Sequence, residues 1–140
     1  MKTKVPNKIR HFIWRAAKDS LPTKLNLMAW YIPIDDVYDG CKDHVDSIMH
    51  CLWLCDQARA VWLLDLRFSF MVQKNCRSFV ELLKVLFWEG SGFRIALFAT
   101  IYWCLWQQIN RVREHQPLWQ LHEIRERAEE LVLAYLEAHK

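Results

Sequence analysis

The sequence predicts a mainly α-helical fold, and three observations support that class. Apolar residues recur at helical spacing in several segments, whereas no segment keeps the apolar–polar alternation of a β-strand. Hydrophobic residues make up 53% of the chain, which is enough to build a core, and only three glycines and four prolines interrupt it. At 140 residues the chain fits one domain, or a two-part piece of something larger.

The N-terminal part predicts two helices. Residues 8–18 place apolar side chains on one helical face and basic side chains around it. Pro22 ends this helix, because a proline disfavours helical backbone in the residue before it. Thr23 is a suitable N-cap for a second helix that runs to about Trp30. Residues 32–42 contain a proline, a glycine and several aspartates, and they predict a loop.

The middle of the chain predicts two further helical segments. Asp46 or Ser47 is a good N-cap for a helix that runs to about Leu66. A loop at residues 67–74 is expected next, followed by an amphipathic segment at residues 78–88.

The C-terminal part predicts two long helices after a break at Glu89–Gly92. The first covers residues 93–114, and Pro117 separates it from an amphipathic helix at residues 118–139. The most apolar run, residues 95–106, is about a dozen residues long, whereas a membrane-spanning helix needs about 20. It therefore predicts a buried helix, and no membrane partner is expected.

Charge is distributed unevenly along the chain. Residues 1–30 are basic and residues 31–66 are acidic, although the net charge is only +3. This asymmetry indicates either docking of one segment on the other or an anionic partner for the basic arm. Five cysteines are an odd number, and the first residues lack the apolar core of a signal peptide. Reduced thiols in the cytoplasm or nucleus are therefore expected, rather than a secreted disulfide framework.

Three cysteines and two histidines lie within the sixteen residues from Gly40 to Cys55. Zinc binds such side chains as close-spaced pairs, and Cys41 with His44 and His50 with Cys55 are candidate pairs, leaving Cys51 over. Positions five apart on an ideal helix diverge by about 140°, so the second pair converges only if its turn is irregular. The spacing equally allows buried cysteines that pack as small apolar residues and a hydrogen-bonded His50.

No catalytic site is predicted. The loop acids Asp35, Asp36 and Asp39 resemble a solvated turn rather than an acid–base pair, and no feature marks a thiol as activated. Three scattered glycines cannot form a phosphate-binding loop. We therefore expect a protein that is not an enzyme and takes no small-molecule substrate.

The basic arm is a candidate nucleic-acid interface. Phe12 and Trp14 alternate with basic residues, a pattern compatible with base stacking and phosphate contacts from RNA or DNA. The candidate phosphate contacts are Lys4, Lys8, Arg10 and Arg15. In the alternative interpretation Phe12 and Ile13 pack inward and the charged side chains are merely solvated.

Several separated segments together resemble one family. They are "KVPNKIRHFIWRAAKDSLPTKLNL" at residues 4–27, Cys41, "HCLWLC" at residues 50–55 and "ARAVW" at residues 58–62. These resemble the zinc-binding domain that follows the reverse transcriptase in plant non-LTR (LINE-type) retrotransposon polyproteins. Asp46 stands where that family usually has glutamate. The resemblance implies a small helical zinc-binding module that assists nucleic-acid binding.

The resemblance also implies a ligand set. Cys41, His50 and Cys55 correspond to three of the family's four zinc ligands, and the first cysteine of the pattern falls at Tyr38. A neutral phenol is a poor zinc ligand, so His44 is the candidate replacement. The other interpretation is that the site has decayed.

The expected organisation has three parts: a zinc-binding module at residues 1–66, a loop and amphipathic helix at residues 67–92, and a hairpin-like helical region at residues 93–140. The last part, with "FATIYWCLWQQINRVREHQPL", resembles the connector that precedes an RNase H-like domain. The function expected from the resemblance is a non-catalytic, retrotransposon-derived zinc-binding module beside a reverse transcriptase. The alternative is a metal-free helical interaction fragment or a relic without activity.

Overall fold

The structure, a computed structural model, describes residues 5–38, 46–74, 76–89 and 91–140. Within these ranges the chain forms seven α-helices and one π-helical turn and no β-strand, which confirms the predicted mainly α class. The elements are α1 (Asn7–Ala17), α2 (Lys24–Ala29), the π turn (His50–Leu54), α3 (Asp56–Leu63), α4 (Leu66–Val72), α5 (Phe79–Glu89), α6 (Gly92–Arg113) and α7 (Leu121–Ala138).

Helix α6 is at the centre of the core. It packs against α1, α5, α7 and the π turn. Phe98 of α6 stacks on Trp62 of α3 with ring centroids 5.0 Å apart, and on Tyr102 one turn further along α6 at 5.4 Å. All three rings are fully buried, and each buried side chain of this size contributes about 1.5–3 kcal/mol. The predicted burial of the first half of this helix is confirmed.

Side-chain caps determine where several helices begin. Thr23 accepts a hydrogen bond from the Asn26 backbone N–H at 3.2 Å, so it caps α2 as the sequence predicts. Ser91 caps α6 in the same way through the Arg94 N–H, at 3.2 Å. The Glu123 carboxylate accepts from the Gln120 N–H at 3.0 Å, which places the start of α7 at Leu121 rather than at residue 118.

The prediction of one continuous helix from Asp46 or Ser47 to Leu66 is wrong. The chain forms the π turn and then becomes extended at Cys55, with φ −60° and ψ 142°. Helix α3 starts afresh at Asp56. After it, Asp65 is extended and accepts a hydrogen bond from the Arg67 N–H at 2.9 Å. This cap starts α4, so the loop predicted at residues 67–74 is helical as far as Val72.

One set of buried residues extends from α1 to α7. Phe12 of α1 lies 6.3 Å from Trp106 of α6, measured between ring centroids, and α3 packs against α7. The predicted boundaries at residues 66 and 92 stay predictions. In the part of the chain that the structure describes, no helix is long and apolar enough to cross a membrane.

Candidate metal centre and basic face

The π turn is the irregular turn that the spacing of His50 and Cys55 requires. The Cys55 N–H donates to the His50 carbonyl at 2.8 Å, a bond between residues five apart. Such a turn holds about one residue more than an α-helical turn, so positions five apart return toward the same side. Ser47, not Asp46, caps the start of this segment, because its hydroxyl accepts from the His50 N–H at 3.2 Å.

Trp62 fixes the π turn from ten residues further along the chain. Its indole N–H donates to the Leu52 carbonyl at 2.9 Å, and the whole side chain is buried. Its ring also packs against Trp53 of the same turn, with centroids 5.1 Å apart. The hydrogen bond satisfies a carbonyl that an interrupted helix leaves without its regular partner.

Tyr38 lies against the predicted ligand His50. Their rings meet edge to face with centroids 5.6 Å apart, and each residue is 8% exposed. Tyr38 occupies the position at which the resemblance expects the first cysteine. The phenol ring therefore takes up space beside one predicted ligand.

Two of the four predicted ligands lie among the residues that the structure describes. His50 and Cys55, both buried, are the first and last residues of the segment closed by the π-turn hydrogen bond. Cys41 and His44 lie outside the described residues. Among the residues that the structure does describe, no group of three or more His, Cys, Asp or Glu side chains could hold a metal ion. The ligand assignment therefore stays a prediction.

Cys51 belongs to the core. It is buried, and its thiol donates to the Asp46 carboxylate with Sγ and Oδ1 3.4 Å apart. Burial raises the pKa of the Cys51 thiol well above its ordinary value, and the negative charge of Asp46 adds to this effect. The hydrogen bond to Asp46 gives the Cys51 thiol a structural role, and the spacing leaves Cys51 outside both candidate ligand pairs.

Asp46 is a structural residue whose role the sequence analysis missed. Its carboxylate accepts from the Lys24 N–H at 3.2 Å, and its backbone carbonyl accepts from the Leu25 N–H at 3.1 Å. Its second carboxylate oxygen lies 3.6 Å from the Arg113 guanidinium of α6. Asp46 therefore joins the start of α2 and the end of α6 to the segment that leads into the π turn. The sequence signal for this role was the acidic residue that the resemblance expects at position 46.

The segment between α1 and α2 is held by Asn26. Its side-chain amide donates to the Leu21 carbonyl at 2.8 Å and to the Asp19 carbonyl at 2.9 Å. Asp19 has a positive φ of 52°, which is uncommon for a residue other than glycine. The hydrogen bond from Asn26 to the Asp19 carbonyl helps to hold this backbone conformation. Together with the Thr23 cap, this gives the "LPTKLNL" segment a structural role.

The basic residues of α1 lie on both flanks of its buried face. Phe12 and Ile13 are buried, as the alternative interpretation expected, whereas Lys8, Arg10 and Arg15 are exposed. At about 100° per residue, Lys8 and Arg15 share one flank and Arg10 lies on the other.

All three of these cations interact with other parts of the protein. Lys8 Nζ lies 4.9 Å from the Trp103 ring centroid, and Arg15 donates to the Ser20 carbonyl at 3.3 Å. Trp14, on the outer face of α1, is 58% exposed, and Lys18 Nζ lies 3.9 Å from its ring centroid. Lys4 lies outside the described residues. The exposed side of α1 therefore carries both an aromatic ring and positive charge.

Comparison with known protein families gives a match over the N-terminal part of the chain. No curated protein and no solved structure matches the chain significantly. Residues 1–62 match the family model described as zinc-binding in reverse transcriptase. This match ends at Trp62, the residue that fixes the π turn. The N-terminal part of the chain is thus similar to a retrotransposon-related zinc-binding module.

Proposed function

We propose that the chain is a non-catalytic zinc-binding module of a LINE-type retrotransposon, of plant origin, that assists nucleic-acid binding beside a reverse transcriptase. The observation that carries this proposal is the π turn at His50–Leu54, which Cys55 follows directly, inside the segment that matches the zinc-binding family. A continuous α-helix would turn these two side chains apart, and the π turn removes that obstacle.

The zinc ligands in this proposal are Cys41, His50 and Cys55, with His44 as the fourth. A structural zinc ion joins segments that lie apart in sequence and adds its binding energy to folding. Here it would join residues 41–44 to the π turn. His50 and Cys55 are already held by Trp62 and by the backbone bond that closes the turn.

The nucleic-acid contacts in this proposal come from α1. Lys8, Arg10 and Arg15 are exposed, and Lys4 precedes them in the chain. Contacts from lysine and arginine to phosphates release counterions, so the affinity falls steeply with salt. Residues 93–140 would then be the connector that precedes an RNase H-like domain, and the chain itself would hold no catalytic residues.

A second candidate function has its own support. Tyr38 fills space beside His50, at the position where the resemblance expects a cysteine. The Cys51 thiol donates a hydrogen bond to the Asp46 carboxylate. These two contacts favour a metal-free helical interaction fragment, in which the buried cysteines serve only as packing residues.

The experiment for the nucleic-acid role is a salt titration of binding to labelled oligonucleotides. The log–log slope should be about −0.9 per phosphate contact on duplex, or about −0.7 on a single strand. Lys8→Ala and Arg15→Ala should each make the slope shallower by about that amount, whereas Lys140→Ala at the far end of the chain should not. Absence of binding at low salt, or affinity that does not change with salt, would contradict the proposal.

A further inference from the structure

A groove of about 270 Å³ lies between α1, α5 and α6, outside the candidate metal centre. Its floor includes Leu86 and Phe98, its walls include Trp14 and Phe87, and Arg10 lies at its edge. The surface inside it is almost wholly apolar. Its size is near the lower end of ligand pockets, which suits one planar ring system.

Three aromatic side chains are exposed at this groove or beside it. Trp14 on α1 is 58% exposed, and on α5 Phe87 is 40% and Trp88 is 89% exposed. Trp14 and Phe87, from two neighbouring helices, thus present apolar rings to solvent at the groove itself.

The charged side chain that lines the groove is a cation, and further lysines lie near its aromatic rings. Among the described residues that line it, Arg10 is the charged one and none is acidic. Lys18 Nζ lies 3.9 Å from the Trp14 ring centroid. Lys84 precedes Phe87 by three residues and Trp88 by four. It therefore lies on the same side of α5 as these two rings. Cations interleaved with exposed aromatic rings favour single-stranded nucleic acid over an apolar protein partner, because bases stack on the rings while phosphates meet the cations.

We infer that this groove binds an unstacked base of a single-stranded nucleic acid. The base lies between Trp14 and Phe87 over the apolar floor, and the adjoining phosphates face Arg10 and Lys84. The inference rests on the proposed nucleic-acid role and adds to it the form of the nucleic acid and the place where it binds. Lys8 and Arg15, on the other flank of α1, lie away from this site.

The test compares a fluorescently labelled oligo(dT) single strand with a duplex of the same length, both titrated with the full chain at one fixed salt concentration. Binding to the single strand should be tighter. Phe87→Ala should weaken it about 5- to 150-fold, the range found when one stacking side chain is removed. Leu133→Ala, which truncates an exposed apolar residue of α7, is the matched control and should leave the affinity unchanged.

Ala17→Leu is a second variant, because it fills the groove without removing a packing contact. It should also weaken single-strand binding while the far-UV circular dichroism stays that of the wild type. Salt-dependent binding that is equal for single strand and duplex and unaffected by both variants would overturn the groove inference but keep the proposed function. Absence of binding to either nucleic acid would overturn both. A dimer in light scattering that Phe87→Ala abolishes would assign the groove to a second copy of the chain, and would equally overturn the inference.

Discussion

Tyr38 and His50 lie edge to face, with ring centroids 5.6 Å apart and an interplanar angle of 77°. The backbone thus brings position 38 next to a predicted zinc ligand, although the residue there is not a metal-binding one. Position 38 therefore lies close enough to His50 for its side chain to decide what surrounds that predicted ligand.

Replacing Tyr38 with cysteine should therefore tighten zinc binding. A thiolate at position 38 supplies the missing ligand of the family pattern, and it exceeds both water and a displaced imidazole as a zinc ligand. The measurement is competition for zinc against a chromophoric chelator at neutral pH. Tyr38→Phe is the matched control, because it keeps the ring against His50 and adds no ligand. An affinity of Tyr38→Cys no higher than that of Tyr38→Phe would contradict the prediction.

Trp62→Phe should destabilise the protein through the π turn. The Leu52 carbonyl loses its indole donor at a fully buried site, and an unsatisfied buried acceptor costs about 1–3 kcal/mol. Urea unfolding measures the change in the free energy of unfolding. Trp88→Phe alters a residue that is 89% exposed and should stay within about 0.5 kcal/mol of the wild type. Equal effects of the two substitutions would show that the hydrogen bond does not hold the turn.

Asp65 should make stability depend on pH in the acid range. Burial acts to raise the pKa of the Asp65 carboxyl, but the hydrogen bonds and charge of Arg67, together with the charge of Arg125, hold it below its ordinary value. Arg67 Nη2 lies 2.7 Å and Arg125 Nε 3.3 Å from Asp65 Oδ2. A carboxyl whose pKa is lower in the folded state contributes stability above its unfolded pKa of about 4, and that stability is lost as the pH falls through the folded value.

The comparison that tests this effect is wild type against Asp65→Asn in urea unfolding from neutral pH to about pH 3. Near pH 7 the wild type should be more stable by about 1.5–3 kcal/mol, the range for hydrogen bonds to a charged group. The difference should shrink below about pH 4. A difference that stays constant over the whole range would contradict the account.

Arg113→Gln should destabilise the N-terminal part of the chain from a helix outside the family match. The guanidinium lies 3.6 Å from the buried Asp46 carboxylate and donates to the Pro22 carbonyl at 3.1 Å. Loss of both contacts should cost about 1.5–3 kcal/mol in urea unfolding. Arg127 of α7 lies over the ring of Trp119, which precedes that helix. Arg127→Gln removes this cation and should cost less, about 0.5–1 kcal/mol. Equal costs would indicate that α6 does not support the Asp46 segment.

The parts of the fold that the sequence predicts depend on local signals. Helices α2 and α6 start next to Thr23 and Ser91, which cap them through residues three positions ahead. The buried face of α1 follows directly from its periodicity. The residues that start each of these helices or bury its face lie within about one helical turn of each other. A short stretch of sequence is therefore enough to predict them.

The π turn could not be predicted in this way. It occupies a segment with continuous helical periodicity, and the features that hold it come from Trp62 in the next helix and from Asp46, which Arg113 joins to α6. Such tertiary contacts override the local preference for an α-helix, and they cannot be predicted from a short stretch of sequence. The spacing of His50 and Cys55 predicts a candidate site, and that assignment stays a prediction, whereas the π turn between them was visible only in the fold.

Zinc content of the purified full chain, measured by elemental analysis beside His50→Ala and Cys55→Ser, is the most direct test of the candidate metal centre. A zinc site that includes His50 and Cys55 predicts close to one zinc per wild-type chain and a marked loss in both variants. Uptake should weaken as the pH falls, because the ligands must lose protons. An absence of zinc in the wild type that Tyr38→Cys does not restore would contradict this zinc site, and would leave Cys55 and His50 as packing residues of a metal-free helical fold.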